Sequence, residues 1–320
     1  MEKRTVESLY TYLRTLQTSQ IFLKKCYRDL PNSDANAKSF ENSGTFMYYL
    51  DHGSIFLTEG EHADIRLKPM LYFYGLVHLL KACLLTNRPD YPESTAVLAH
   101  GVTARKRKKK NYSFTGDEVK IQQNGLFCYA YNHLFHAETP PFQKINMNLL
   151  LGLIPEMNDF YSYRKEVKSI SIGKKGATNI TFPLHLLDSY HLTKTAFIQR
   201  LRIYLPAMLD IKTSNDRLHI KLEKPLQHIT GPFYVHLDKQ EIYFPCSRDY
   251  YLSINEIMVH YLLLYNLSMI SRYETEYWGE LISTKSEQDY AIISHYVNIA
   301  AEKIYFLIGE WLYERAPETE

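Results

Sequence analysis

The stretch Lys68–Leu85 constrains the fold more than any other part of the chain. Pro69 suits the first turn of a helix, where a backbone N–H is not needed. Three polar residues, Tyr74, His78 and Lys81, then recur at helical spacing on one face. Apolar residues cover most of the remaining surface, so we expect a helix that is buried on several sides. A histidine and a lysine in such a helix need partners or a route to water.

Helical periodicity recurs towards both ends of the chain. Apolar residues on one stripe predict a helix over residues 5–25, and a second helix is expected over about 38–57. Apolar spacing also predicts helices over 254–272 and 290–311. The helices over 69–86 and 254–272 are apolar nearly all round, so we expect them to pack together.

Between these helical parts the pattern changes from helical to alternating. Asn124-Gly125 predicts a hairpin turn between two strands, the second extending to Tyr131. Short turns between the strands of this region predict antiparallel pairing. The other elements expected here are helices over 143–164 and 193–205, hairpins over 169–182 and 233–244, and a strand over 218–222.

These patterns predict an α+β fold without internal repeats. The N-terminal part (1–112) and the C-terminal part (251–320) are expected to form one helical bundle. The middle module (113–250) is expected to be mixed and to contain antiparallel sheet.

The charge of the chain is concentrated in one basic run. The composition of 45% hydrophobic and 22% charged residues is that of a globular protein. The formal net charge of +2 would be −4 without the run. This run could contact phosphates or an acidic protein surface, or it could be a solvated loop. It consists of Arg105, Lys106, Arg107, Lys108, Lys109 and Lys110.

Cysteine spacing and hydropathy indicate a cytoplasmic protein. The four cysteines are far apart and form no Cys-x-x-Cys motif, which is typical of reduced thiols. The N-terminus lacks the apolar region of a signal peptide. The longest apolar run, residues 257–270, is too short to span a bilayer. We therefore expect no membrane association.

The polar face of the central helix is the candidate binding site. Clustered cationic donors suit a phosphate or carboxylate, so these side chains could bind a small anion or a nucleotide. The competing interpretation is a buried polar network that fixes helix packing, in which Lys81 extends outward and Arg272 caps a helix end. The proposed set is Tyr74, His78, Lys81, His100 and Arg272.

No complete catalytic or metal motif occurs in the sequence. His133 and His136 have a spacing that metal ligands use, but no further motif completes a site. The segment Gly173–Gly176 is not a P-loop, and a Gly-x-Ser-x-Gly motif is absent. Cys83 lies in the central helix, where packing is the simpler role. We therefore expect no catalytic residues, no metal and no cofactor.

Three segments together resemble a known family. They are Tyr72–Leu85, His100-Gly101 and Leu262–Trp278, and the Leu-Ser-x-x-x-Arg-Tyr core at Leu267–Tyr273 is the most specific. Over essentially the whole chain the sequence resembles the YaaC-like proteins of Bacillus and its relatives. That family has no established biochemical activity. Its gene often lies beside that for IMP dehydrogenase, so the resemblance implies IMP dehydrogenase as the first candidate partner.

The helical part also resembles, more loosely, the HEPN superfamily of helical bundles. Many of its members are RNases or bind nucleotides and RNA. The RNases carry an arginine followed after four to six residues by a histidine, and no arginine here has a histidine at that spacing. RNase activity of this kind is therefore not expected.

These observations lead to two functional hypotheses. The first is a non-catalytic regulatory or adaptor protein that acts through protein–protein binding, because the chain is rich in tyrosine and lacks a catalytic set. The alternative is a HEPN-like protein that binds a nucleotide or nucleic acid. Both hypotheses are compatible with a homo-oligomer.

Overall fold

The protein has an α+β architecture divided into two compact units, as seen in a computed structural model. The first unit consists of residues 1–147 and 257–320, and the second of residues 148–256. Residues 113–147, which the sequence assigned to the middle module, therefore belong to the unit formed by the two ends of the chain. The structure describes residues 3–31, 34–104, 112–226 and 231–316.

Helices predominate at both ends of the chain, and strands lie in its middle. The helices are α1 (Lys3–Tyr12), α2 (Leu16–Arg28), α3 (Ala35–His62), α4 (Lys68–Asn87), α5 (Leu126–Phe135), α6 (Met147–Gly152), α7 (Met157–Ser162), α8 (His185–Tyr190), α9 (Lys194–Leu201), α10 (Glu256–Tyr273), α11 (Thr275–Thr284) and α12 (Gln288–Tyr313). The strands are β1 (Val102–Ala104), β2 (Glu118–Ile121), β3 (Lys144–Asn146), β4 (Ser169–Lys174), β5 (Asn179–Pro183), β6 (Met208–Ser214), β7 (Arg217–Leu222), β8 (Tyr234–His236) and β9 (Glu241–Pro245).

The single helix predicted over residues 5–25 is wrong, because the chain turns between α1 and α2. Thr15 is the N-cap of α2, and its hydroxyl accepts a hydrogen bond from the Thr18 N–H over 3.2 Å. A threonine at the N-cap accepts a hydrogen bond from a backbone N–H in the first turn of a helix. It therefore favours the start of a second helix at this position over one continuous helix. Leu13 stays fully buried in the turn, which explains why the apolar stripe is continuous across the break.

Helices α3 and α4 approach each other closely through two glycines. A Cβ on Gly53 would lie 2.6 Å from Leu79 Cγ, and one on Gly75 would lie 3.1 Å from the Gly53 carbonyl oxygen. No larger side chain fits between these helices without displacing a neighbour. Glycine at these positions therefore permits the helix contact, and α3 is continuous across Gly53.

The predicted contact between α4 and α10 is confirmed. From Glu256 to Ile270, every residue of α10 is buried except Met269, which is partly exposed. The Phe73 ring of α4 lies 5.2 Å from the Tyr261 ring and 5.6 Å from the Tyr265 ring, measured between centroids. Edge-to-face aromatic contacts of this kind add stability beyond the area that they bury.

Among the described helices, α4 is long and apolar enough to cross a membrane by length and composition. However, 72% of its apolar window is buried within the protein, a pattern that core helices share.

The C-terminal helix α12 packs inside the first unit, against α1, α3 and α4. The rings of Tyr10 and Tyr305 stack with their centroids 4.0 Å apart. Most of the regularly spaced apolar residues of α12 are buried, including Val297 and Ile304. The C-terminal helix therefore packs with N-terminal helices, as the predicted bundle of the two ends of the chain requires.

The hairpin predicted around Asn124-Gly125 is wrong. Strand β2 pairs with β1 and β3 in an antiparallel sheet, but the chain after Gly125 forms helix α5 instead of a strand. Gly125 has a φ of 121°, and the following Leu126 N–H donates a hydrogen bond to the Ala99 carbonyl over 2.7 Å. The aromatic residues taken for strand positions also fit a helical stripe, with Phe127, Tyr131 and Leu134 all buried.

The second unit contains two antiparallel sheets, of strand orders β4-β9-β8 and β5-β7-β6. The hairpin of β8 and β9 and the strand β7 confirm the predictions for 233–244 and 218–222. The predicted pairing within 169–182 is wrong, since β4 pairs with β9 and β5 pairs with β7. The two sheets share one core, in which the rings of Phe182 and Phe244 lie 5.2 Å apart.

The predicted helix over 143–164 is also replaced by shorter elements. The first residues of this segment form strand β3. Helices α6 and α7 follow, with Pro155 between them. Proline lacks the N–H that a continuous helix would require.

Candidate anion-binding site

One face of α4 presents the polar residues that the sequence singled out. Tyr74, His78 and Lys81 are partly exposed, whereas the residues between Tyr74 and His78 and between His78 and Lys81 are buried. Pro69 lies at the start of this helix. The helical spacing inferred from the sequence is therefore present, and the three side chains share one face.

Arg272, in the last turn of α10, reaches this face at Tyr74. Its Nη1 donates a hydrogen bond to the Tyr74 hydroxyl over 2.9 Å, and its Nε donates to the Ser268 carbonyl over 2.9 Å. The guanidinium carbon lies 5.6 Å from the centroid of the Tyr74 ring and 5.2 Å from that of Tyr273. Arg272 therefore caps a carbonyl at the helix end and also belongs to the polar cluster.

His100 enters the same cluster from the segment before β1. Its carbonyl oxygen accepts a hydrogen bond from the Tyr261 hydroxyl over 2.8 Å, which fixes its backbone against α10. Its ring packs against aromatic rings of α4 and α10. The centroid distances are 4.9 Å to Phe73, 5.9 Å to Tyr265 and 6.1 Å to Tyr74.

Three residues of α3 complete the surroundings of His78, and the sequence interpretation missed them. The His78 ring lies 5.9 Å from Tyr49, 5.6 Å from His52 and 5.7 Å from Phe56, measured between centroids. The Lys81 Nζ lies 5.6 Å from the centroid of the Tyr49 ring. The spacing of three and four residues between these α3 positions, within a predicted helix, was the signal that could have identified them.

We call Tyr74, His78, Lys81, His100 and Arg272 the α4 site. Within the parts of the chain that the structure describes, neither Lys81 nor Arg272 forms an ion pair with an Asp or Glu side chain. The buried Nδ1 atoms of His78 and His100 likewise have no hydrogen-bond partner among the described residues. The site therefore has two positive charges and two imidazole nitrogens that the described protein leaves uncompensated.

Burial and the neighbouring charges determine the protonation of the site. Burial lowers the pKa of His78 to about 4, with smaller contributions from Lys81 and His52. Burial also lowers the pKa of His100, and the positive charges of Arg272 and Lys81 lower it further. The pKa of Lys81 is lowered by burial. At neutral pH the imidazole rings of His78 and His100 are therefore uncharged.

Both interpretations made from the sequence, an anion site and a buried polar network, fit this arrangement. The ring contacts and the Arg272–Tyr74 hydrogen bond fix the packing of α4 against α3 and α10. A bound anion would accept hydrogen bonds from the cationic side chains and compensate their charge.

The other candidates from the sequence are the basic run and the possible metal ligands. The basic residues Arg105–Lys110 lie outside the described residues. His133 is in the last turn of α5, and His136 follows it with a φ of 51°. No group of three or more His, Cys, Asp or Glu side chains in the described residues could hold a metal ion. Cys83 is fully buried, and burial raises the pKa of its thiol, which suits a packing role.

Comparison with known proteins identifies one family. A family model described as YaaC-like Protein matches residues 11–312, which is most of the chain. No curated protein and no solved structure matches the chain.

Proposed function

This chain belongs to the YaaC-like family, and we propose that it is a non-catalytic regulatory protein that binds an anionic ligand at the α4 site. One observation carries the proposal. Lys81 and Arg272 are partly exposed cations that have no acidic partner among the described residues, and two imidazoles with unpartnered nitrogens lie beside them. Phosphate-bearing ligands, nucleotides among them, have the charge that such a site would stabilise.

The protonation of the site favours ligand binding over proton donation. An imidazole whose pKa is about 4, as for His78, is almost entirely unprotonated at pH 7 and so is a poor general acid. The five residues of the α4 site include no carboxylate, cysteine or serine, so the bases available there are the neutral imidazoles and Lys81. A regulatory role requires that these groups bind the ligand without reacting with it.

Titration calorimetry with inorganic phosphate tests this proposal. Lys81→Met together with Arg272→Met removes both charges of the site and keeps unbranched side chains, and we expect phosphate affinity to fall by at least about tenfold. Lys24→Met is the matched control, because Lys24 is an exposed lysine on α2 with no partner in the described structure. Absence of phosphate binding by the unchanged protein, or equal affinities of both variants, would contradict the proposal.

A protein partner is the second candidate, and an exposed stripe on α3 favours it. Phe40, Tyr48 and Ile55 are 72%, 59% and 49% exposed. They are spaced by eight and seven residues and therefore share one face of the helix. Exposed aromatic and aliphatic residues on one face are typical of protein-binding surfaces. We propose that this stripe binds a cytoplasmic partner, for which IMP dehydrogenase is the first candidate because its gene often lies beside the genes of this family.

A binding assay with purified IMP dehydrogenase tests the second candidate. We expect Phe40→Ser with Tyr48→Ser to abolish the interaction, since both changes remove exposed apolar area. Leu209→Ser, an exposed apolar residue on β6, is the control and should bind as the unchanged protein does. If the unchanged protein does not bind IMP dehydrogenase, this partner is rejected. If Leu209→Ser loses as much binding as the double variant, the α3 stripe is rejected as the binding surface.

A further inference from the structure

The α4 site contains two positively charged ends instead of one. At one end, Arg272 is held at Tyr74 by the hydrogen bond to its hydroxyl. At the other end, the Lys81 Nζ lies over the Tyr49 ring beside His78. Tyr74 and Lys81 are seven residues apart on one helix, which corresponds to about 10 Å along its axis.

Each end has its own imidazole. His78 precedes Lys81 by one helical turn and packs against α3. His100 packs against Tyr74 and Tyr265 at the Arg272 end. The charges of both Arg272 and Lys81 lower the pKa of His100, so this ring lies within electrostatic reach of both cations. His100 therefore belongs to the Arg272 end of the site, and His78 to the Lys81 end.

We infer that the α4 site binds a ligand with two linked anionic groups, of the diphosphate class. This inference rests on the proposed anion-binding function and specifies its ligand. Arg272 is held at Tyr74, two helical turns from the backbone of Lys81, so two linked anionic groups match the two cations better than one tetrahedral anion does. Two linked phosphates would place one group beside Arg272 and the other beside Lys81.

The charge of the two cations favours phosphate groups over carboxylates. The Arg272 Nε and Nη1 already donate to the Ser268 carbonyl and the Tyr74 hydroxyl, and Nη2 lies 3.4 Å from the Ser268 hydroxyl and 3.5 Å from the Met269 sulfur. The guanidinium therefore acts on a ligand mainly through its charge. A diphosphate has more negative charge at neutral pH than a dicarboxylate and so compensates two cations more fully.

Titration calorimetry on the full chain with inorganic phosphate, inorganic pyrophosphate and succinate tests the inference. We expect pyrophosphate to bind at least about tenfold more tightly than phosphate or succinate, because it engages both cations. Lys81→Met and Arg272→Met should each reduce pyrophosphate affinity to about that of phosphate. Lys81→Arg keeps the charge and should retain most of the preference, whereas Lys24→Met should change nothing.

The outcomes separate this inference from the proposed function. If phosphate and pyrophosphate bind equally well, the site holds one anionic group, which rejects the inference and leaves the proposed function intact. Tighter binding of succinate than of pyrophosphate would reject the diphosphate class. If no anion binds, both proposals fail. Because Arg272 also caps α10, the thermal unfolding of Arg272→Met is measured as a check that it folds. If it does not fold, the comparison of Lys81→Met with Lys81→Arg decides the test.

Discussion

The Arg272 guanidinium donates a hydrogen bond to the Tyr74 hydroxyl over 2.9 Å. This bond joins the end of α10 to the middle of α4, between residues that are 198 positions apart in the chain. It holds one cation of the α4 site in place, because a long flexible side chain otherwise samples many rotamers. The stability of the α4–α10 contact and the geometry of the α4 site are therefore coupled through Tyr74.

Tyr74→Phe should weaken both folding and anion binding. Loss of the hydroxyl removes one hydrogen bond to a charged donor, which is worth about 1.5–3 kcal/mol when it is well shielded and less at a partly exposed site. We expect the free energy of unfolding in urea to fall by about 1 kcal/mol. Pyrophosphate affinity should also fall, but by less than in Arg272→Met, because the charge remains.

Tyr48→Phe provides the matched control for this prediction. Tyr48 is exposed on α3 and has no hydrogen bond in the described structure. Its substitution should leave both measurements unchanged. If Tyr74→Phe behaves in the same way, the hydrogen bond to Arg272 is not important for stability or binding.

Anion binding should take up protons and strengthen as the pH falls. The free protein has a His78 pKa of about 4 and a lowered His100 pKa. A bound anion favours the protonated imidazole, so the pKa of each ring is higher in the complex than in the free protein. The affinity gain therefore begins as the pH falls through the pKa of the complex, and it is complete below that of the free protein.

Calorimetry with sulfate from pH 8 to pH 5 measures this linkage, since sulfate keeps its charge over the range. Titrations in two buffers of different ionisation enthalpy give the number of protons taken up. His78→Ala with His100→Ala should abolish the uptake. A constant affinity and no proton uptake in the unchanged protein would show that neither imidazole faces the anion.

Gly53→Ala should destabilise the first unit. The added Cβ would lie 2.6 Å from Leu79 Cγ and 3.1 Å from the Gly75 carbonyl oxygen, so α3 and α4 would have to move apart. Overpacking of this kind costs about 1–3 kcal/mol. Thermal unfolding or urea denaturation measures the effect.

Gly44→Ala, on the same helix, is the control for Gly53→Ala. Its Cβ would meet the nearest atom, on Leu16, at 3.7 Å, which is an ordinary contact. Alanine has the higher helix propensity, so we expect a gain of about 0.5–1 kcal/mol. A loss of stability in both variants would mean that α3 tolerates no change for reasons other than its contact with α4.

The basic run gives a separate test of nucleic-acid binding. Neutralising Arg105–Lys110 removes six positive charges from the connection between β1 and β2. If RNA or DNA binds there, affinity should fall steeply with salt, and the neutralised variant should have a shallower slope. An acidic protein partner would instead associate more slowly with little change in its dissociation rate. If neither salt nor neutralisation changes the affinity, the basic run has no role in binding and is a solvated segment.

Much of the helical architecture could be predicted because its signals are local. The helices α4, α10 and α12 each contain an apolar pattern that repeats over four turns or more, and their observed bounds lie within a few residues of the predicted ones. The same local spacing placed Tyr74, His78 and Lys81 on one face. Where an element is short, as at α5, an alternating pattern and a helical stripe describe the same aromatic residues, so the sequence alone did not distinguish them.

The sequence by itself determined which residues α4 presents on its polar face, because helical geometry follows from local backbone preferences and apolar spacing. Only the tertiary structure decided that Tyr49, His52 and Phe56 surround His78, and that β4 pairs with β9 instead of β5. These arrangements depend on which apolar faces bury each other across long stretches of chain. Such burial is a property of the whole fold, and no local periodicity encodes it.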